Sequence, residues 1–334
     1  MDNQKITFYD VTLRDGNHAL NQQLNAQQIV NYAKAADSAG IEYVELGHGN
    51  GLGASSLQAG KGPLTTNGML KLARPCLKNS KMSTFMLPGW GTMKELDKAI
   101  DNGLDAVRFG AHCTEANMTE RYIKYLAKKS VESHGILVMS HMATPERLSE
   151  EARLMESYGA DKVGFFDSSG HYLPEDVTIR IEAICGSVKI PVIFHAHNNL
   201  GMAIANSIAA ARAGAKMIDG CIRGLGGGSG NAQIEVLVAV FNRMGYHTGI
   251  NLDKILDAAD QAKDELNFHA PTIISDSIVS GIAGVFSGFR PKAIKIAKDY
   301  GINVREILYE LGRRKAVAGQ EDQIIEVAQC LKNR

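Results

Sequence analysis

Short apolar runs alternate with longer amphipathic segments over the first 250 residues of the chain. Eight runs have the length and composition of strands, and each is followed by a segment that could be a helix, because apolar positions recur with helical spacing. The predicted strands are Ile6–Val11, Ile41–Gly47, Met82–Pro88, Ala106–Gly110, Ile136–His141, Asp161–Phe166, Val192–His197 and Met217–Ile222. The pattern therefore predicts a regular series of strand–helix units.

Capping residues mark the ends of the predicted helices. In the first helix, Asn25 and Gln28 form a capping box, and Gly40 ends the helix as a left-handed residue would. Thr144-Pro145 begins another helix, with an N-cap residue followed by proline at the first helical position.

Eight strand–helix units in about 245 residues match a (β/α)8 TIM barrel in number and size. A doubly wound sheet is the competing fold, but it usually has fewer strands and an earlier Gly-rich phosphate loop. After about Asn251 the pattern changes to helices with no clear strand. We expect a catalytic α/β barrel over residues 1–250 and an all-helical C-terminal domain over 251–334, which packs on the barrel mouth or against a partner.

The composition argues against several classes of function. The 334 residues include 36 Lys and Arg and 36 Asp and Glu, so the net charge gives no reason to expect a nucleic-acid or membrane-surface partner. No apolar run reaches the roughly 18 residues that span a bilayer, and the N-terminus lacks an apolar signal core. Five scattered cysteines without metal-ligand spacing are typical of reduced thiols. We therefore expect a cytoplasmic protein.

Two short motifs carry candidate metal ligands. In His195-Ala196-His197, residues two apart on a strand point to the same side, so both imidazoles can face one ion. In Thr12-Leu13-Arg14-Asp15-Gly16, Asp15 offers an oxygen ligand and Arg14 a fixed positive charge. Strands one and seven are near neighbours around a barrel, and their C-terminal ends meet at its catalytic face. Together the motifs predict one metal site at that face.

Each motif also has a purely structural interpretation. Two strand histidines can hydrogen-bond inside a core, and Arg14-Asp15 can form a surface turn closed by Gly16. The Gly-rich segment Ile222–Asn231 is a flexible connector, a phosphate cradle or, as we prefer, a loop whose backbone approaches the metal or a carboxylate. Asp167–Gly170 either holds a substrate carboxylate or makes a plain turn. His18 is either a proton acceptor and donor or a solvated histidine.

The combination of motifs resembles the 4-hydroxy-2-oxovalerate aldolases. This family belongs to the metal-dependent TIM-barrel group that also includes hydroxymethylglutaryl-CoA lyase and isopropylmalate synthase. The segments that carry the resemblance are Thr12–Gly16, Glu45–Gly49, Leu87–Gly89, Asp167-Ser168, His195–Gly201, Ala205–Ser207, Gly226–Ala232 and Gly319–Asp322. The resemblance extends over nearly the whole chain, and the Leu-Pro-Gly and tail motifs are more specific to the aldolases than the other motifs.

The resemblance implies a ligand set and an ion. Asp15, His195 and His197 match the family's metal ligands, and Mn²⁺ is the family's usual ion, with other divalent metals as alternatives. An oxygen and two imidazoles suit a divalent ion that keeps open positions for substrate. The resemblance further implies that Arg14 stabilises an enolate and that His18 is the base for the C4 hydroxyl of the substrate.

Four residues are the implied contacts of the substrate. Ser168 matches a contact of the pyruvate carboxylate, Leu87 matches a wall of the aldehyde end, and His195 lies beside the substrate as well as the metal. Phe286 replaces a tyrosine that the family carries in a Gly-Val-Tyr stretch and that reaches into the active site. The loop 55–60 also lacks the aromatic residues expected there. Both departures concern the aldehyde and its stereochemistry, whereas the metal and enolate chemistry is unaffected.

The implied function is a divalent-metal-dependent (class II) pyruvate aldolase of the kind found in aromatic hydrocarbon catabolism. It cleaves a 4-hydroxy-2-oxo acid to pyruvate and an aldehyde, and it catalyses the reverse addition. The family commonly pairs with an acylating aldehyde dehydrogenase, so we expect a homo- or hetero-oligomer. Two alternatives stay open: an acyl-CoA-dependent Claisen condensation, and a catalytically altered scaffold subunit that binds metal.

Overall fold

The computed structural model of the protein describes residues 4–266 and 268–333. Its centre is a closed barrel of eight parallel strands that follow one another in sequence order. The strands are β1 (Thr7–Asp10), β2 (Tyr43–Glu45), β3 (Lys81–Met86), β4 (Ala106–His112), β5 (Glu132–Val138), β6 (Lys162–Asp167), β7 (Val192–Ala196) and β8 (Met217–Gly220). All eight predicted strands are confirmed, and the doubly wound alternative is wrong because the sheet closes.

Strand β8 closes the ring and sets the neighbours of the first strand. It pairs in parallel with β1, from Thr7 opposite Met217 to Asp10 opposite Gly220, and on its other side it pairs with β7. The C-terminal ends of β1 and β7 therefore flank the end of β8. This is the geometry that the two candidate metal motifs require.

Within the part of the chain that the structure describes, a helix follows each strand, and five more helices come after the barrel. The helices are α1 (Ala26–Ala39), α2 (Thr66–Ala73), α3 (Met93–Asp101), α4 (Glu120–Leu126), α5 (Pro145–Ser157), α6 (Pro174–Cys185), α7 (Ala203–Arg212), α8 (Ile234–Arg243), α9 (Leu252–Glu265), α10 (Ser275–Ala283), α11 (Arg290–Tyr300), α12 (Val304–Arg313) and α13 (Asp322–Lys332). Over the described residues, no helix combines the length and the apolar character needed to cross a membrane.

The predicted caps of α1 and α5 are confirmed. The Asn25 side chain accepts a hydrogen bond from the Gln28 backbone N–H, the reciprocal bond is also present, and Gly40 has a left-handed φ of 91°. The Thr144 side chain accepts from the Arg147 N–H, with Pro145 in the first turn of α5. Local chemistry therefore sets these helix ends.

Strand β5 begins four residues earlier than the predicted start at Ile136. Its first residues are polar, but Glu132 forms ion pairs with Lys81 and Lys162 at the N-terminal opening of the barrel. His134 packs inside the barrel against the Tyr9 ring at a centroid distance of 5.9 Å. Polar partners inside the barrel thus replace the apolar pattern that usually marks a strand.

The described residues form two hydrophobic cores. The larger core belongs to the barrel and includes the buried face of α9, from Ile255 to Leu266. The smaller core is formed by helices α10 to α13 and the segments that connect them, with Phe289 and Leu308 fully buried. Because α9 packs on the barrel, we propose that the boundary between the two units lies between Leu266 and Ser275 and not at residue 250.

Candidate active site

The three predicted metal ligands meet at the C-terminal end of the barrel. Asp15 begins a single 3-10 turn directly after β1, and its backbone N–H donates to the Val11 carbonyl at 2.8 Å. His195 lies in β7, and His197 follows the end of that strand. One ligand atom from each of the three side chains lies within 4.8 Å of the other two. All three residues are buried.

The hydrogen bonds of the two histidines leave nitrogens free for a cation. His195 Nδ1 pairs with Asp219 Oδ2 at 2.9 Å, while its Nε2 is buried without a hydrogen-bond partner. His197 Nδ1 is also buried without a partner. Burial lowers the pKa of His197 to about 4, so this ring is neutral at neutral pH. Buried polar atoms are normally satisfied, and one carboxylate with two imidazoles fits a divalent cation.

Asp15 is held as a carboxylate by the groups around it. Burial alone would raise the pKa of Asp15, but nearby positive charge, foremost that of Arg14, outweighs burial and lowers that pKa. Arg14 Nη1 donates to Asp15 Oδ1 at 2.7 Å, and Asn231 Nδ2 donates to Asp15 Oδ2 at 2.6 Å. The side chain is therefore ionised and fixed in place.

The Gly-rich loop after β8 closes against Asp15. A Cβ atom at Gly226 would lie 2.8 Å from Asp15 Oδ2 and would also overlap the side-chain amide of Asn231. Gly226 has a φ of 154°, a backbone conformation that L-residues rarely adopt. The loop thus brings backbone close to the carboxylate, as we preferred from the sequence.

Arg14 has one donor to spare. Its Nε donates to Glu45 Oε1 at 2.6 Å and its Nη1 to Asp15, while Nη2 is buried without a partner. The guanidinium also lies 4.9 Å from the centre of the Phe85 ring. A fixed, charged N–H donor beside a candidate metal site is suited to stabilise negative charge on a bound molecule.

A cavity of about 260 Å³ opens beside these groups. One part of its wall is polar and includes Arg14, Asp15, His18, Ser168 and His197. The apolar part of the wall comes from strand ends, their loops and the helical C-terminal unit; it includes Phe85, Leu87, Trp90, Met118, Val138, Phe166, Phe286 and Val317. His195 is not part of the wall, so of the implied substrate contacts it alone lies behind the surface of the cavity.

Sequence comparison places this geometry in a family. An HMGL-like family profile matches residues 5–261, and a profile for the DmpG-like communication domain matches residues 271–333. The chain is 54% identical over 327 residues to a 4-hydroxy-2-oxovalerate aldolase of Serratia proteamaculans (strain 568), with 98% of each chain covered. A 4-hydroxy-2-oxovalerate aldolase of Streptomyces tendae is also 54% identical, over 98% of this chain and 92% of that protein.

The chain belongs to the 4-hydroxy-2-oxovalerate aldolase family. Solved structures with low sequence identity share its fold. The N-terminal domain of a putative aldolase from Bacteroides vulgatus superposes with a TM-score of 0.73 at 22% identity, over 84% of this chain and 94% of that chain. The carboxyl transferase domain of Rhizobium etli pyruvate carboxylase superposes with a TM-score of 0.84 at 14% identity, over 99% of this chain and 61% of that chain.

His18, the candidate base, lines the same cavity. It lies in the 3-10 turn that begins at Asp15, and its Nδ1 is 3.3 Å from Gln22 Nε2. Burial lowers the pKa of His18 below its ordinary value, so the ring is neutral at neutral pH. A Cβ at Gly49 would lie 2.5 Å from His18 Nε2, which explains why glycine stands there.

The remaining implied substrate contacts line the same cavity. The Ser168 hydroxyl accepts a hydrogen bond from the Met139 backbone N–H at 3.0 Å, which leaves its own hydrogen able to donate. Leu87 follows β3, and Phe286 reaches the cavity from the helical C-terminal unit. Phe286, which stands where the resemblance implies a tyrosine, has a ring without a hydroxyl that packs edge to face on Phe289.

Three buried charged residues that support the site are not predicted by the sequence motifs. Glu45, Arg108 and Asp219 lie on β2, β4 and β8 with their side chains fully buried. Glu45 lies in the motif Glu45–Gly49, and the available signal for its role is an acidic residue inside an apolar strand. Arg108 interrupts an apolar run in the same way.

Proposed function

We propose that this chain is a divalent-metal-dependent aldolase that cleaves a 4-hydroxy-2-oxo acid to pyruvate and an aldehyde. The observation that carries the proposal is one cavity beside both the Asp15–His195–His197 cluster and the spare donor of Arg14. Relatives at 54% identity bear the name 4-hydroxy-2-oxovalerate aldolase, which supports this choice of substrate class.

The residues that would hold the ion are Asp15, His195 and His197, and the ion we propose is Mn²⁺. When bound, a divalent ion supplies Lewis-acid polarisation of the 2-oxo acid. Asp219 fixes the His195 ring through Nδ1, so that the unpartnered Nε2 would be available to a cation. The buried, unpartnered nitrogens of both histidines support this assignment.

Arg14 is proposed to stabilise the negative charge that develops when the C3–C4 bond breaks. Its Nη2 donates a hydrogen bond to the oxygen of the forming pyruvate enolate. Glu45 and Asp15 hold the guanidinium by two short bonds, so the donor needs no reorganisation during the reaction. Low solvent access strengthens the interaction, because Arg14 is only 3% exposed.

His18 is proposed to take the proton of the C4 hydroxyl. Its ring is neutral at neutral pH, as a general base must be, and Gln22 and Gly49 fix its position. Ser168 donates to the pyruvate carboxylate. Leu87 and Phe286 form the aldehyde end, and the aldehyde oxygen receives no hydrogen bond from the Phe286 ring.

An acylating aldehyde dehydrogenase is the partner we propose, in a hetero-oligomer. The match of residues 271–333 to a DmpG-like communication domain supports this partner. A partner bound to this unit would act close to the aldehyde end, because Phe286 and Val317 line the cavity from it.

A Claisen condensation with an acyl-CoA is less well supported. Among the described residues that line the cavity there is no lysine, and Arg14, the arginine present, is committed to two carboxylates. A coenzyme A diphosphate therefore has no obvious cationic contact there. A scaffold role gives no reason for a spare guanidinium donor beside the cavity.

Pyruvate release tests the proposed function. The assay uses 4-hydroxy-2-oxo acids of increasing chain length with added Mn²⁺ and after treatment with a chelator. We expect Mn²⁺-dependent release, abolished in His197→Ala and unchanged in His269→Ala, an exposed histidine in the segment after α9. Release that survives chelation, or thiol release from acetyl-CoA and a 2-oxo acid without aldol cleavage, contradicts the proposal.

A further inference from the structure

Arg108 lies at the centre of the barrel, behind the candidate active site. It belongs to β4, its side chain is 0% exposed, and it is not among the residues that line the cavity. Its guanidinium stacks over the Tyr9 ring at 4.3 Å from the centroid. No step of the proposed reaction uses this residue, although burying an arginine is costly without full compensation.

The donors of Arg108 divide between two carboxylates. Nε donates to Glu45 Oε2 at 2.6 Å and Nη2 to Glu45 Oε1 at 2.7 Å, which is a bidentate pair. Nη1 donates to Asp219 Oδ2 at 2.6 Å. The planar guanidinium therefore fixes the distance and the angle between Glu45 and Asp219.

Each of these carboxylates holds one group of the candidate active site. Glu45 Oε1 accepts from Arg14 Nε at 2.6 Å, and Asp219 Oδ2 accepts from His195 Nδ1 at 2.9 Å. The same two oxygens also accept from Arg108. A change at Arg108 is thus transmitted to Arg14 and to His195 through one carboxylate each.

We propose that Arg108 is a positioning residue that aligns the enolate-stabilising guanidinium of Arg14 with the metal ligand His195. The inference rests on the proposed function for the role of Arg14, but its effect on metal binding does not. Arg108 fixes the position of Arg14 relative to His195. It can do so because the carboxylates that it bridges, Glu45 and Asp219, lie on β2 and β8, on either side of β1.

Arg108→Lys is the direct test, because lysine keeps the charge but cannot bridge two carboxylates with a rigid fork. We expect Mn²⁺ affinity, measured by calorimetry, to fall roughly tenfold to a hundredfold. We also expect kcat for pyruvate release at saturating Mn²⁺ to fall more than KM rises. Arg180→Lys is the matched control, because Arg180, in α6, also stacks over a tyrosine ring, at 4.5 Å from the centroid of Tyr172. The Mn²⁺ affinity of the Arg180→Lys protein should equal that of the parent.

Variants that change one carboxylate at a time separate the connection to Arg14 through Glu45 from the connection to His195 through Asp219. Asp219→Asn should mainly weaken Mn²⁺ binding, and Glu45→Gln should mainly lower kcat with Mn²⁺ affinity within about threefold of the parent. If Arg108 couples these two connections, the fold-losses of Mn²⁺ affinity and of kcat in the Glu45→Gln, Asp219→Asn double variant are smaller than the products of the fold-losses in the single variants. These variants carry the test if Arg108→Lys does not fold.

Two outcomes overturn the inference. One is a folded Arg108→Lys protein whose Mn²⁺ affinity and kcat per metal-loaded site equal those of the parent. The other, decisive if Arg108→Lys fails to fold, is strict multiplicativity of the Glu45→Gln and Asp219→Asn effects. A parent protein that binds Mn²⁺ but cleaves no 4-hydroxy-2-oxo acid contradicts the proposed function alone, since the affinity comparison still tests Arg108.

Discussion

The two ends of the barrel both carry clusters of charged side chains, yet the clusters differ in burial and in their position relative to the cavity. At the N-terminal opening, Glu132 pairs with Lys81 at 2.6 Å and with Lys162 at 2.5 Å, and its side chain is 26% exposed. At the C-terminal end, the Arg14–Glu45 pair is almost fully buried. Solvent can therefore replace a lost partner at the first end but not at the second.

The position of unpartnered polar atoms relative to the cavity separates the two clusters further, because His134 Nδ1 at the N-terminal opening is also buried without a partner but His134 does not line the cavity. The Glu132 carboxylate is satisfied by lysines, a tyrosine and a histidine of its own cluster. Arg14 Nη2, His195 Nε2 and His197 Nδ1 have no partner and lie at or directly behind the cavity wall. Charge pairing alone thus does not mark a functional site; buried polar atoms without partners beside a cavity do.

Removing one cation from each end should give the largest contrast. We expect Arg14→Met to lower kcat for pyruvate release by about a hundredfold to a thousandfold, because a buried donor to developing charge is lost. Lys162→Met removes a cation from the Glu132 cluster and should leave kcat within about twofold. Steady-state kinetics at saturating Mn²⁺ measure both, and equal losses in the two variants would erase the functional distinction between the ends.

A methyl group placed in the Gly-rich loop should give a smaller effect. Gly226→Ala sets a Cβ against Asp15 and Asn231, so we expect Mn²⁺ affinity to fall by roughly tenfold. Gly227→Ala is the matched control, because its Cβ would make only ordinary contacts of 3.7 and 3.8 Å. Calorimetric titration of both variants with Mn²⁺ checks the prediction. Identical affinities would show that the loop does not constrain the carboxylate.

Neutralising Glu132 should give the smallest effect, on stability alone. Partial burial would raise the pKa of Glu132, but hydrogen bonds from His134, Lys162 and Lys81 outweigh it and lower the pKa well below its ordinary value. A lowered folded-state pKa adds stability above the unfolded pKa of about 4.3, and this stability is lost as the pH falls below it. We expect Glu132→Gln to cost about 1 kcal/mol at pH 7.

Urea unfolding between pH 7 and pH 3 measures this cost. The difference in the free energy of unfolding between the parent and Glu132→Gln should shrink as the pH falls below about 4. A difference that stays constant over this range would show that the carboxylate charge is not its source. A fall in kcat would show that this end of the barrel also serves the chemistry.

The sequence predicted the barrel because its signals are local. Apolar runs mark strands, and capping residues such as Asn25 and Thr144 are satisfied by backbone groups only three residues away. The clustering of the candidate ligands could also be predicted, since His195 and His197 are two residues apart at the end of one strand and the strand order of a barrel brings Asp15 to them. All five cysteines are free thiols, as predicted.

The supporting network could not be predicted, because its partners are distant in sequence. Arg108 is 63 residues from Glu45 and 111 from Asp219, and nothing in the spacing pairs them. The early start of β5 was missed for a related reason. Glu132 and His134 resemble loop residues in the sequence, because the lysines and aromatic rings that surround them come from other strands of the closed barrel.

The central claim is that Asp15, His195 and His197 hold one divalent cation. Anomalous diffraction at the manganese absorption edge, from crystals grown with Mn²⁺, tests it most directly. We predict one strong peak in contact with all three side chains. A peak bound elsewhere, in protein whose pyruvate release depends on Mn²⁺, would contradict the account.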